Sequence, residues 1–133
     1  MAWPEVKKEI ASWFTKVPAH LQHGRLGESA AKKHLQKLGL KFLLANFGVT
    51  GKGEIDLIFR EEDCLVFVEV KTRGTDRYGY PEEAVDYRKE ALLLDAAGAY
   101  IEETGWQHEV RFDIISITLT SPPTIYHIED AFH

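Results

Sequence analysis

The stretch Gly51–Arg73, GKGEIDLIFREEDCLVFVEVKTR, constrains the fold of this chain more than any other. Two β-rich apolar runs, EIDLIFR and CLVFVEVKTR, are split by the polar residues EED, the pattern of a β-hairpin. Yet Glu54, Asp56, Glu69 and Lys71 lie inside those runs. Side chains alternate along a strand, so Val66, Val68 and Val70 share one face and Phe67, Glu69 and Lys71 the other. In the first run Ile55, Leu57 and Phe59 share a face, and Glu54, Asp56 and Ile58 share the opposite one. A hairpin register sets Asp56 beside Glu69 and Lys71. Each strand then keeps an aliphatic face for a core and carries charge on the other.

The rest of the chain supplies helices to cover such a sheet. Trp3, Val6, Ile10, Trp13, Phe14 and Val17 recur at helical spacing, which predicts an amphipathic helix from Pro4 to Lys16, ended by Pro18. That stripe must bury against the domain or a partner chain, and a two-fold homodimer is one expectation. A second helix is predicted over Leu21–Leu38 with Gly39 as its cap, then a strand in LKFLLANF and a glycine-rich turn in GVTGKG. After the hairpin, GTDRYGY reads as a loop. Pro81 suits the first turn of a helix over Glu82–Glu103, with Ala84, Val85, Leu92, Leu93, Ala96, Ala99 and Tyr100 inward. EVRFDIISITL reads as a strand and TIYHI as an edge strand. The order predicts an α/β protein, a mixed sheet flanked by helices. It divides into the N-terminal helix, residues 1–19, and one domain, residues 20–133.

Charge is unevenly placed. The net formal charge is −5, which argues against coating nucleic acid by charge alone. Residues 1–41 carry eight Lys/Arg and three Asp/Glu, whereas residues 42–133 carry eight and eighteen. That is a basic arm before an acidic centre, or ordinary solvated faces. Cys64 is the only cysteine, so no intrachain disulfide forms, in keeping with a reducing cytoplasm. No apolar run is long enough to span a bilayer, and the charged N-terminus is unlike a signal peptide. The expectation is a cytoplasmic protein.

Paired carboxylates repel unless a cation lies between them. Hard oxygen ligands suit Mg²⁺ or Mn²⁺, which keep waters and take further oxygens from a phosphate. A lysine two residues beyond Glu69 shares its face and could serve an attacking water or the phosphate. The competing reading is a solvent-facing sheet with cross-strand pairs such as Asp56–Lys71 or Glu69–Arg73. Spacing alone leaves both open. Glu28 borders the apolar face of its helix with Ala31, Leu35 and Leu38, which points it toward the sheet, or it pairs with Lys32. Glu54 is a weaker candidate, either supporting the ligands or holding a second ion. Lys33, Lys37, Arg73 and Lys89 are weak candidates for phosphate contact, and solvation explains them as well. None of the six histidines forms a strong metal spacing, and no phosphate loop, dinucleotide fingerprint or zinc framework occurs.

GRLGESAAKKHL, GEIDLIF, LVFVEVKTR, YGYPEEAV, RFDIISI and IEDAF together resemble the YraN-like family of small bacterial proteins, over Gly24–Phe132. That family is assigned to the PD-(D/E)xK nuclease superfamily and is similar to archaeal Holliday-junction resolvases. The resemblance implies a restriction-endonuclease-like core: helix, three antiparallel strands, helix and a further strand. It implies that Asp56, Glu69 and Glu28 ligate Mg²⁺ or Mn²⁺, with Lys71 completing the catalytic set on DNA, branched or damaged. Ile55 stands where many relatives of the superfamily carry proline, and DYRKEALLLD keeps Lys89 but is otherwise poor in basic residues. Two other readings stay open: a non-catalytic nucleic-acid-binding module of the same fold, and an interaction subunit that recruits a partner through Trp3 and Trp13.

Overall fold

The computed structural model describes residues 19–73 and 87–132. The predicted helix at 4–16, the loop after Arg73 and the first turn of the helix at Pro81 lie outside them, with Ala84 and Val85. The described elements are α1 (Ala19–Lys37), β1 (Lys41–Gly48), β2 (Glu54–Glu61), β3 (Cys64–Arg73), α2 (Tyr87–Thr104), β4 (Glu109–Thr118) and β5 (Thr124–Ile128). No described helix is long and apolar enough to cross a membrane.

The strands form one mixed sheet in the order β1-β2-β3-β4-β5. β1, β2 and β3 are an antiparallel meander. The connection through α2 then brings β4 parallel to β3, and β5 returns antiparallel at the edge. Chain order and spatial order coincide, so every connection is local except the α2 crossover, which a parallel pair requires. The hairpin turn is shorter than EED: Glu61 still pairs with Cys64, and Glu62 adopts φ 52° at the reversal.

Each face of the sheet has its own core. On one, Ala31 and Leu35 of α1 meet Leu57, Phe59, Val66, Val68, Val70, Ile115 and Ile117. On the other, Leu93, Ala96 and Ala97 of α2 meet Ile55, Ile58, Leu65 and Phe67. β3 is therefore covered on both sides, and Leu65 to Val70 form one unbroken buried run. α1 ends as predicted: Gly39 has φ 94°, its N–H donates to Gln36 O at 3.0 Å, and the Leu40 N–H donates to Leu35 O at 3.1 Å. That is the glycine cap in which a left-handed residue satisfies the last carbonyls.

Two details depart from the sequence reading. Leu92 is exposed on α2, and Ala97 takes an inward place instead. Ile55 does not share a face with Leu57 and Phe59 but packs with Ile58 under α2. Strict alternation fails there because β2 and β3 stop pairing: the last rung is Leu57 opposite Val68.

Two glycines let the helices approach the ends of this divergence. A Cβ at Gly27 of α1 would collide with the Thr72 side chain at the end of β3. One at Gly53, just before β2, would lie 2.7 Å from the carbonyl oxygen of Leu92 on α2. The second obstacle is backbone and cannot rotate away. Gly53→Ala should therefore destabilise by about 1–3 kcal/mol, the usual penalty for overpacking. Gly98→Ala is the control: nothing lies within 4 Å of the new methyl, and it should stabilise by about 0.5–1 kcal/mol. Denaturant midpoints of the two variants against the parent decide the matter.

Candidate active site

Among the described residues only Glu69, Asp113 and Ser116 are polar and buried. Glu69 is 5% exposed and shares the α2 face with Phe67. A carboxylate in that setting needs a donor or a cation. One oxygen has one: Lys89 Nζ of α2 lies 3.2 Å from Glu69 Oε1. The other, Oε2, is buried and has no hydrogen-bond partner.

Asp56 lies just past the last rung between β2 and β3. Extended by one residue, the register would set it opposite Glu69. Instead of a strand partner, the Val70 N–H donates to Asp56 Oδ2 at 2.8 Å. One carboxylate oxygen thus substitutes for a ladder carbonyl, and the strands diverge around it.

The electrostatics show how closely these acids approach. Burial pushes Glu69 up to about 7; the Asp56 charge pushes the same way, against Lys89 and Lys71. Burial also raises Asp56, opposed by the Val70 N–H and Lys89, with Glu54 adding repulsion. Glu28 of α1, half-buried, is raised by burial and then by Asp56 and Glu54, against Arg25. The Asp56 charge therefore raises acids on both faces of the sheet at the opening: Glu69 on the α2 side and Glu28 on the α1 side.

Lys71 lies two residues beyond Glu69, and its charge draws Glu69 down. Its register partner is the buried Ser116 of β4, which the sequence reading passed over. The other sequence candidates are dispersed. Lys33 and Lys37 are exposed on α1, and Arg73 is half-buried at the end of β3. Lys89, expected as a weak phosphate contact, is on Glu69. Lys32 lies 3.9 Å above the Phe42 ring. A cavity of ≈ 370 Å³ beside Glu28 is lined by Arg25, Ser29, Lys32, Phe42 and Leu57. An acidic groove of ≈ 1030 Å³, lined by Glu61, Glu62, Asp63, Glu109, Glu129 and Asp130 among others, contains none of the candidates.

The donor set fits a hard divalent cation. It offers two adjacent carboxylates, one with an orphaned buried oxygen, that repel each other without a positive charge between them. Among the described residues no group of three or more His, Cys, Asp or Glu is placed to hold a metal ion. Mg²⁺ does not need one, because it binds through one or two carboxylates and fills its shell with water and phosphate oxygens.

Comparison with known proteins agrees with the sequence motifs. Residues 27–117 match the model of the uncharacterised protein family UPF0102. The chain is similar to a UPF0102 protein of Cytophaga hutchinsonii, 43% identical over 99 residues, 74% of this chain and 87% of the relative. It is also similar to UPF0102 proteins of Solibacter usitatus, 41% identical over 113 residues (83% and 85%), and Syntrophomonas wolfei, 44% identical over 111 (82% and 96%). The chain belongs to the UPF0102 family, the YraN-like family its motifs resemble.

Proposed function

We propose that this protein is a Mg²⁺- or Mn²⁺-dependent nuclease acting on DNA, with a restriction-endonuclease-like core. The observation that carries the reading is the buried Glu69, one oxygen unpartnered, facing Asp56 where β2 and β3 separate. The meander β1-β2-β3 followed by α2 and the parallel β4 is the element order such a core requires. Asp56 and Glu69 would hold the ion, and Glu28 would contribute directly or through water. The ion, when bound, supplies an acidified water and offsets charge on the scissile phosphate. Lys71 orients the attacking water and draws off negative charge at the phosphate. The water oxygen bonds to phosphorus and gives up a proton to solvent, the phosphorus–oxygen bond to the leaving sugar breaks, and the leaving oxygen takes a proton from solvent. Lys89 neutralises Glu69 until the ion arrives.

The test is cleavage of linear, flapped and four-way DNA by the purified chain, in Mg²⁺ or Mn²⁺ and in chelator. Metal-dependent cleavage supports the reading, and preference within the panel identifies the substrate form. A second reading, a binding module without chemistry, is favoured by the Lys89–Glu69 pair, which satisfies part of the site without metal. Binding without cleavage in both metals would establish it instead.

A further inference from the structure

The second buried acid, Asp113 of β4, lies on the other face of the sheet. It shares the parity of Ile115 and Ile117, which pack under α1, whereas Glu69 faces α2. Its side chain is 0% exposed, yet each oxygen is satisfied. Oδ1 accepts from Arg111 Nε at 3.1 Å and from the Asp130 N–H at 3.1 Å. Oδ2 accepts from Arg111 Nη2 at 3.2 Å and lies 2.8 Å from His127 Nε2. A carboxylate held by that many donors is ionised, so it fixes the proton of His127 on Nε2. The other ring nitrogen, Nδ1, then carries its lone pair. It faces His34 of α1, whose Nε2 lies 3.3 Å away.

We propose that His34 Nε2 and His127 Nδ1 form a binding site for a divalent transition-metal ion of the class Zn²⁺, Ni²⁺ or Cu²⁺, separate from the carboxylate site. Two observations carry this. The first is the separation. Zinc–imidazole bonds of about 2.0–2.1 Å at a tetrahedral centre place two ligand nitrogens roughly 3.3 Å apart. The two nitrogens already stand at that spacing, although they come from elements 93 residues apart in sequence. The second is the support behind the ring. A carboxylate on the far nitrogen of a ligating histidine is the usual outer partner of a metal site, fixing both tautomer and orientation. Here that carboxylate is buried and itself held by Arg111 and the Asp130 amide. Imidazole donors without thiolate select this class of ion over Mg²⁺ or Ca²⁺.

Binding exchanges one interaction for another. In the metal-free chain the His34 Nε2–H donates to His127 Nδ1. On binding, that proton moves by way of solvent to His34 Nδ1, and both nitrogens turn their lone pairs to the ion. Both rings stay neutral and no net proton is released. Two protein ligands leave the remaining positions to water, so the affinity is that of a partial site, weaker than that of a three- or four-ligand zinc centre. The bound ion ties α1 to the edge strand β5. Lys37, whose charge acts on His34, weakens the site, and the Asp113 carboxylate strengthens it.

The experiment is calorimetric titration of the chelator-treated full chain with ZnCl₂ and NiCl₂. One background carries Asp56→Asn and Glu69→Gln, to remove the carboxylate site. Another carries His20→Ala, His23→Ala, His108→Ala and His133→Ala, to remove the other imidazoles. One ion per chain should bind in both backgrounds, with a rise in melting temperature. His34→Gln, at a half-buried helix position and with its fold checked by circular dichroism, should weaken binding at least tenfold. Asp113→Asn should weaken it about 10–100-fold, as loss of an outer partner does. Unchanged binding in His34→Gln overturns the proposal. So does the absence of saturable binding below 1 mM, or binding lost in either background. The proposed nuclease activity can fail without touching any of these outcomes.

Discussion

Asp56→Ala and Glu69→Ala are each expected to abolish metal-dependent DNA cleavage, a loss of at least about 10³-fold, with Lys71→Ala costing about 10²–10⁴-fold. The carboxylates matter as a pair. With one removed, the survivor keeps no partner across the opening, and the ion is held by a single protein oxygen set. DNA affinity should barely change in Lys71→Ala, because one phosphate contact alters the electrostatic contribution only modestly. It should rise in the carboxylate variants, which shed negative charge. Asp56→Ala also strips the acceptor from the Val70 N–H, so Asp56→Asn is the cleaner variant: it keeps an oxygen at 2.8 Å from that nitrogen and loses the charge. Cleavage surviving all of these substitutions would place the chemistry elsewhere.

The second large effect is on stability and has the opposite sign. Glu69 holds its proton to about pH 7 in the folded chain and releases it near 4.5 when unfolded. Between those values the folded state binds more protons, so stability falls as pH rises and levels off above 7. Below 4.5 both states are protonated and nothing is lost. Gln resembles the protonated acid and lacks this dependence. Glu69→Gln should therefore match the parent at pH 4 and exceed it at pH 8 by roughly 1–3 kcal/mol, each pKa unit being worth 1.36 kcal/mol. Denaturant melts in chelator across pH 4–8 read this directly. Mg²⁺ at pH 8 should raise the parent's midpoint and leave that of the Gln variant unmoved. Equal pH profiles for parent and variant would mean that Glu69 is not strained by burial.

Much of this was legible in the sequence, for identifiable reasons. The alternation of VFVEVK placed Glu69 and Lys71 on one face, opposite the valines; the burial of that face at Glu69 under α2 was not part of the reading. The same rule misplaced Ile55, because alternation presumes continuous pairing and β2 leaves β3 after Leu57. Nothing local in EIDLIF announces that break; it arises from a side chain taking a backbone partner across the sheet. Lys89 was visible only as a basic residue in a helix, since its contact with Glu69 depends on how α2 crosses the sheet. His34 and His127 were invisible as a pair for the same reason. Their proximity is made by the packing of α1 on the far edge, and spacing rules search only within one element.

The hydrogen bond between the Val70 amide and Asp56 has a consequence for descent. Position 56 is held by the backbone as well as by the proposed chemistry, whereas burial disfavours the charged form of Glu69, which only the proposed chemistry requires. Under the proposed function, a lineage released from the need to cut DNA would gain by replacing Glu69 with an uncharged residue, and would still be held to Asp or Asn at 56. Decay of activity in this family would thus be written first at position 69, leaving behind a fold that keeps its opening and the aspartate that props it.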